Sequence, residues 1–337
     1  MTEPATQAAT KVATRVLRAD HAGIARAAQA LAAGLLVAFP TETVYGLGAD
    51  ATNGDAVARL YAAKGRPRFN PLIAHVTGLD AARRLAEFRP DALRLAQAFW
   101  PGPLTLVLPK APGCAVADLA TAGLDSVAVR VPDHPGAQKI LAAFGRPVVA
   151  PSANRSGHVS PTTAAHVLAD LNGRIDLIVD GGATAVGVES TIVALLGEPT
   201  LLRPGGLPRE AVEGALGRRL ADATAESADS GEAPLAPGML ASHYAPRTRL
   251  RLDARRVEPG EAVLAFGPEL PDGADRAVKV LNLSVRGDAI EAAANLFSHL
   301  RALDAVGAAA IAAMPVPRDG LGEAINDRLK RAAAPRT

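Results

Sequence analysis

From about residue 15 to 217, short β-branched or aliphatic runs alternate with Ala/Leu-rich stretches of helical period, and nothing else in the chain restricts its fold so strongly. Such alternation builds α/β layers, because each strand and each helix has one apolar face to bury on the other. The runs predict strands at 35–39, 72–76, 104–108, 127–131, 148–150, 177–179 and 191–195, with helices at 22–33, 55–64, 81–88, 91–99, 136–144 and 161–171. The last helix follows "SPTT", which predicts Ser160 as its N-cap and Pro161 in the first helical position, where a missing N–H costs nothing.

At about 218 the text changes to "LADATAESADSGEAPLAPGMLASHYAP", poor in large apolar side chains, and this predicts a linker over 218–247. Beyond it "TRLRL", "AVLAF", "AVKVLNL" and "GAAAIAAM" read as strands and 288–305 and 321–332 as helices, giving a second, smaller α/β domain over 248–335. A length of 337 residues agrees with two cores. The hydrophobic class makes up 49% and charged residues 21%, a globular composition. Cys114 is the sole cysteine, so an internal disulfide and a cysteine metal site are excluded, as suits a reducing compartment. The most apolar window is broken by Pro40 and falls short of the roughly eighteen residues a spanning helix needs. The opening residues have no secretory pattern and read as a loose terminus, so a cytoplasmic protein is expected. Net charge is only +2, so any electrostatic function must rest on local clusters.

Several clusters qualify. "AFPTETVYGLGADA" carries Gly46-x-Gly48-x-x-Ala51, but no helix follows at once and no acid lies about twenty residues on, which argues against a dinucleotide site. The expected role is a turn using positive φ, with Thr41, Thr43 and Tyr45 as its chemically interesting members. In "KGRPRFNPLIAHV", Gly65 should cap the preceding helix, and the prolines impose an extended path on which Lys64, Arg66 and Arg68 share one side ahead of a strand carrying His75. Arg130, mid-strand in "SVAVRVP", needs either a ligand anion or a protein carboxylate, and the sequence leaves both open. Ser152 and Asn154 end an apolar strand, Ser190 enters another, and Arg203 precedes a Pro-Gly turn, all placements where open α/β sheets bind ligands. No nucleophile elbow is present and no His/Asp/Glu set has metal-ligand spacing, so a metal should arrive with phosphates, as Mg²⁺ does.

Taken in order, "FPTETVYGLGADA", "KGRPRFNPLIAHV", "WPGPLTLVL", "VAVRVPDHP", "VAPSANRSGHVSPT", "GVESTIV", "LLRPG" and "PGMLASHYAP" resemble the threonylcarbamoyl-AMP synthase family in its long, two-domain form. The resemblance implies a YrdC-like twisted mixed sheet around a large basic cavity, with a smaller Rossmann-like α/β domain behind it. It implies conversion of L-threonine, bicarbonate and ATP, with Mg²⁺ and no organic cofactor, into L-threonylcarbamoyladenylate and pyrophosphate. That product serves the threonylcarbamoyl transferase machinery acting on tRNA; a weak tRNA contact is allowed and no membrane is implied. Matching the motifs residue by residue gives Lys64 and Arg66 as the signature catalytic pair. It gives Thr43, His75, Arg130 and Ser190 for threonine, and Arg66, Asn70, Ser126, Ser152, Asn154, Ser160, Arg203 and Tyr244 for ATP. Tyr244 falls in the linker, so "ASHYAP" is expected to fold over the nucleotide as a lid. Two rival readings are a carbamoyl-adenylating enzyme that uses carbamoyl phosphate and an RNA-binding module; 3% aromatic residues offer little for base stacking.

Overall fold

The computed structural model describes residues 13–223 and 244–334, so the expected loose terminus and most of the expected linker lie outside the described residues. The first domain runs β1 (Arg15–Arg18), α1 (His21–Ala32), β2 (Val37–Pro40), β3 (Tyr45–Asp50), α2 (Gly54–Lys64), β4 (Ile73–His75), α3 (Leu79–Arg83), α4 (Pro90–Phe99), β5 (Leu104–Pro109) and β6 (Ser126–Arg130). It continues with α5 (Pro135–Phe144), β7 (Val148–Val149), α6 (Ala164–Leu171), β8 (Leu177–Asp180), β9 (Thr191–Ala194), β10 (Thr200–Arg203), α7 (Arg209–Leu216) and β11 (Ala221–Asp222). These strands form one mixed sheet in the order β1-β8-β2-β3-β7-β4-β6-β5-β9-β10-β11. Apolar helix faces cover it, and its main core takes in Leu47, Leu60, Leu95, Leu106 and Val129.

The seven predicted strands and most helices are present, and the departures are instructive. The glycine loop is not a turn: Gly46 and Gly48 lie inside β3, and neither has positive φ. They permit close approach instead, since a Cβ on Gly48 would sit 2.7 Å from Phe39 Cε1 and 3.1 Å from Val148 Cγ1. The turn is the preceding Thr41–Val44 segment, closed by Thr41 Oγ1 donating to the Val44 carbonyl at 2.7 Å. Helix α6 starts at Ala164 with Thr163 as its cap, so Ser160 is not an N-cap and Pro161 is not the first helical residue. Helix α3 is only five residues long, stopping well before residue 88. Helix α7 and strands β1, β3, β10 and β11 are additional to the expected elements, and β11 carries the sheet to Asp222, inside the expected linker, by pairing in parallel with β10.

Helix α2 shows how local chemistry sets up the site. Asn53 caps its start by accepting from the N–H groups of Asp55 and Ala56, and Gly65 ends it at φ +62°, a value that favours glycine. That fixed end places Lys64 in the last turn and turns the chain inward at Arg66. The expected three-cation edge does not form: Lys64 and Arg66 are buried while Arg68 is exposed, because the helix continues through Lys64 and Gly65 breaks the extended alternation.

The second domain comprises β12 (Leu250–Arg251), β13 (Ala262–Ala265), β14 (Val280–Asn282), α8 (Ala289–Asp304), β15 (Ile311–Ala313) and α9 (Leu321–Ala333). Its four strands, in the order β12-β15-β13-β14, are all parallel, in keeping with a small Rossmann-like unit. The two domains share a core in which Val44, Val159 and Val188 pack with Leu296, Phe297 and Ile325. Backbone contact is close enough that a Cβ on Gly187 would lie 2.4 Å from the Ala293 carbonyl of α8. Ion pairs Arg301–Asp170 (2.9 Å) and Arg209–Glu323 (2.7 Å) fasten the same interface.

Candidate active site

At one end of the large sheet, the C-terminal ends of β4, β6 and β10 meet the first residues of β5 and β9. Register does the assembly: His75 pairs with Arg130 across β4 and β6, Thr105 with Arg130 across β5 and β6, and Leu104 with Thr191 across β5 and β9. The resulting pocket is lined by Arg66, His75, Arg130, Ser152, Ser190, Arg203 and Tyr244, joined by Glu189. Seven residues predicted from sequence thus surround one space. The room left among them is about 40 Å³, far less than the large cavity expected. A larger cavity of about 630 Å³ lies elsewhere, between the 155–158 loop, α8 and Ala245–Arg247, and contains none of the predicted site residues.

Of the alternatives left open by the sequence, Arg130 meets the protein carboxylate, in Glu42. Its Nη2 donates to Glu42 Oε1 at 2.5 Å and to Thr43 Oγ1 at 2.9 Å, while its Nε is buried without a hydrogen-bond partner. Glu42 is itself fixed by the backbone N–H of Asp133. Nη2 is therefore anchored, while the Nε–H beside it lacks an acceptor. Sequence reasoning missed Glu42; its place beside Thr43 in "FPTETVYG" was the available signal.

His75 is 2% exposed, and burial, followed by the nearby Arg130 charge, pushes its pKa down to about 3. Its Nδ1 lies 3.1 Å from the Ile73 carbonyl and the Val148 carbonyl also lies against the ring, so the neutral imidazole is held by two backbone acceptors. Ser190 Oγ pairs with Thr105 Oγ1 at 2.7 Å and accepts from Arg203 Nη2 at 3.2 Å.

The cations differ in what they hold. Lys64 does not line the pocket; its Nζ donates to the carbonyls of Ser152 and Asn154, both at 2.5 Å, bracing the loop that bears them. Burial, then the Arg66 charge, lowers its pKa well below the usual lysine range. Arg66 donates to the carbonyls of Asn70 and Pro71, and burial brings its pKa down to about 10. Asn70 and Asn154 each have a buried Oδ1 without a hydrogen-bond partner, although Asn154 Nδ2 is used on the carbonyls of Arg155 and His158. Ser160 Oγ donates to Glu189 Oε1 at 2.5 Å. Ser126 shares a β6 face with Arg130 but stands four residues back, about 13 Å along the strand, outside the pocket wall.

Tyr244, in the left-handed region at φ +63°, stacks on Phe297 of α8 with ring centroids 5.5 Å apart and closes the pocket from the side of the second domain. Its phenol is pushed up by burial. Among the described residues no three His, Cys, Asp or Glu side chains gather as metal ligands, and no helix is long and apolar enough to cross a membrane.

Buried arginines converging with hydroxyls and amides at strand ends define a class: an α/β protein whose pocket receives a small anionic ligand. A family model described as "Telomere recombination" matches residues 29–205, and one described as "Threonylcarbamoyl-AMP synthase, C-terminal domain" matches 207–334. The chain is 42% identical to the threonylcarbamoyl-AMP synthase of Bacillus subtilis over 336 residues, 96% of either chain. It is 46% identical to that of Pyrococcus abyssi over 320 residues, 89% of this chain and 91% of the relative. The crystal structure of P. abyssi Sua5 complexed with L-threonine superposes with a TM-score of 0.84 at 40% identity, covering 96% of this chain and 97% of that one. This chain belongs to the threonylcarbamoyl-AMP synthase family.

Proposed function

We propose that the protein joins L-threonine, bicarbonate and ATP into L-threonylcarbamoyladenylate with release of pyrophosphate, and that the pocket at the strand ends is where it does so. The observation that carries this reading is a single pocket walled both by Arg130, whose buried Nε–H has no acceptor, and by Arg66 and Arg203. The first suits an amino-acid carboxylate, the second a triphosphate. Thr43, Ser190 and neutral His75 would then meet threonine's hydroxyl and amine. The unpartnered amide oxygens of Asn70 and Asn154 would take donors from the nucleotide, with Ser126, Ser152, Ser160 and Tyr244 along its length.

In the proposed reaction threonine's neutral amine attacks CO₂ and loses a proton, or attacks bicarbonate with release of water, to give a carbamate. A carbamate oxygen attacks the α-phosphorus of ATP, the bond to the β-phosphate oxygen breaks, and pyrophosphate leaves. Arg66 and Arg203 offset the charge that grows on the leaving group, so positioning and electrostatics do the catalysis. Lys64 would act through the loop carbonyls it braces. Mg²⁺ would come with the nucleotide and offset phosphate charge, because Glu42 and Glu189 are already committed to Arg130 and Arg328. The narrow pocket requires Tyr244 to withdraw for entry and return for turnover, which fits the lid reading of the linker. The adenylate would be consumed by a transferase that modifies tRNA, and a cytoplasmic setting suits that role.

The test is pyrophosphate release from ATP with bicarbonate, with and without L-threonine and with serine as control, together with incorporation of labelled bicarbonate. Threonine-dependent release and a labelled product are expected. Release supported by carbamoyl phosphate and not by bicarbonate would overturn the reading in favour of the rival adenylating chemistry.

A further inference from the structure

Arg328 is the largest of the fully buried side chains and belongs to α9 of the second domain, yet it faces the walls of the pocket in the first. Its Nε donates to Glu189 Oε2 at 2.9 Å, its Nη1 donates to the Pro204 carbonyl at 2.9 Å, and its guanidinium carbon lies 5.1 Å from the centre of the Tyr244 ring. Nη1 also donates to Asp327 Oδ2 of its own helix at 2.7 Å, and the other partners lead into the pocket. Glu189 lines it and holds Ser160 with its other oxygen; Pro204 follows Arg203; Tyr244 closes it. One guanidinium therefore links three parts of the wall: the Ser160–Glu189 pair, the Arg203 turn and the Tyr244 closure.

Domain docking alone does not call for this arrangement. A buried ion pair is seldom more stabilising than apolar side chains of the same volume, and the shared core with two other interdomain ion pairs already fastens the domains. What a planar fork offers and an apolar chain lacks is direction: two bonds at fixed angles and a cationic face for an aromatic ring. Nη2 is buried without a hydrogen-bond partner, so the group is held here at a cost in unmet hydrogen bonding.

We propose that Arg328 is a positioning residue for the nucleotide half of the reaction, setting Tyr244, Arg203 and, through Glu189, Ser160, so that the second domain completes the pocket. This rests on reading the pocket as the nucleotide site. Of the threonine half, Thr43, His75 and Arg130 do not touch Arg328, and Ser190 is joined to it only through Glu189 and Arg203.

The experiment compares wild type, Arg328→Lys, Glu189→Gln and the double variant Glu189→Gln/Arg328→Met in the full chain. Thermal melting is read alongside KM for ATP and for L-threonine, and binding of a non-hydrolysable ATP analogue is measured by calorimetry. Arg328→Lys, which keeps the charge and loses the fork, should raise KM for ATP and the analogue Kd at least tenfold while moving KM for threonine less than threefold. Glu189→Gln alone, whose amide oxygen can still accept from Arg328 but which no longer offers a second oxygen to Ser160, should weaken analogue binding clearly less than the double variant does. The double variant should melt near wild type and still bind the analogue at least tenfold more weakly. Wild-type analogue affinity in the folded double variant would overturn the proposal and leave Arg328 a docking residue. If wild type binds the analogue but threonine elicits no pyrophosphate, the proposed reaction fails, and the calorimetric comparison still decides Arg328.

Discussion

Acid should destabilise this protein in large part through His75, and the size of the effect follows from its surroundings. The folded ring holds its pKa near 3, whereas a histidine in the unfolded chain titrates at about 6.5. Below that value the unfolded state takes up a proton that the folded state refuses, so stability is full above about pH 6.5 and declines as pH falls toward 3. Taking about 1.4 kcal/mol per unit below 6.5, and allowing for partial protonation, the loss between pH 7 and pH 5 comes to about 2 kcal/mol. Urea unfolding at the two pH values, at constant ionic strength, measures it in wild type and in His75→Asn, whose amide cannot titrate in this range. Wild type should lose about 2 kcal/mol more than the variant. His166, lowered to about 4 chiefly by burial, adds a similar acid sensitivity but is common to both proteins and cancels. An equal loss in the two would refute the claim that the ring is buried neutral.

Other substitutions probe the pocket and its supports. Gly48→Ala drives a Cβ against Phe39 and Val148 and should lower unfolding free energy by about 1–3 kcal/mol, read from urea midpoints. Arg130→Lys keeps a charge for Glu42 but removes the fork, and should raise KM for threonine at least tenfold with KM for ATP little changed. Lys64→Met leaves the Ser152 and Asn154 carbonyls without their donor, a penalty of about 1–3 kcal/mol for each group; weaker binding of an ATP analogue by calorimetry is the expected result, and unchanged binding would show that the loop keeps its shape unaided.

The sequence alone determined the layered α/β architecture, because strand and helix periods are local properties of apolar spacing, whereas the first domain's sheet runs to Asp222, past the boundary expected at 218. Ordered motifs were enough to pick out seven of the residues that line the pocket. Tertiary structure decided the rest, for reasons that local pattern does not carry. Gly46 and Gly48 look like a turn in the sequence; only the pairing of β3 between β2 and β7 shows that they serve strand packing. Ser160 resembles a helix cap until Glu189, 29 positions away, is seen to take its hydroxyl. Lys64 and Arg66 stand two residues apart, yet one braces a loop and the other faces the pocket, because a helix end intervenes. Glu42 and Arg328 gave no motif of their own. Their roles come from partners 88 and 139 positions distant, and a buried charge acquires a role only when the fold brings its counter-charge alongside.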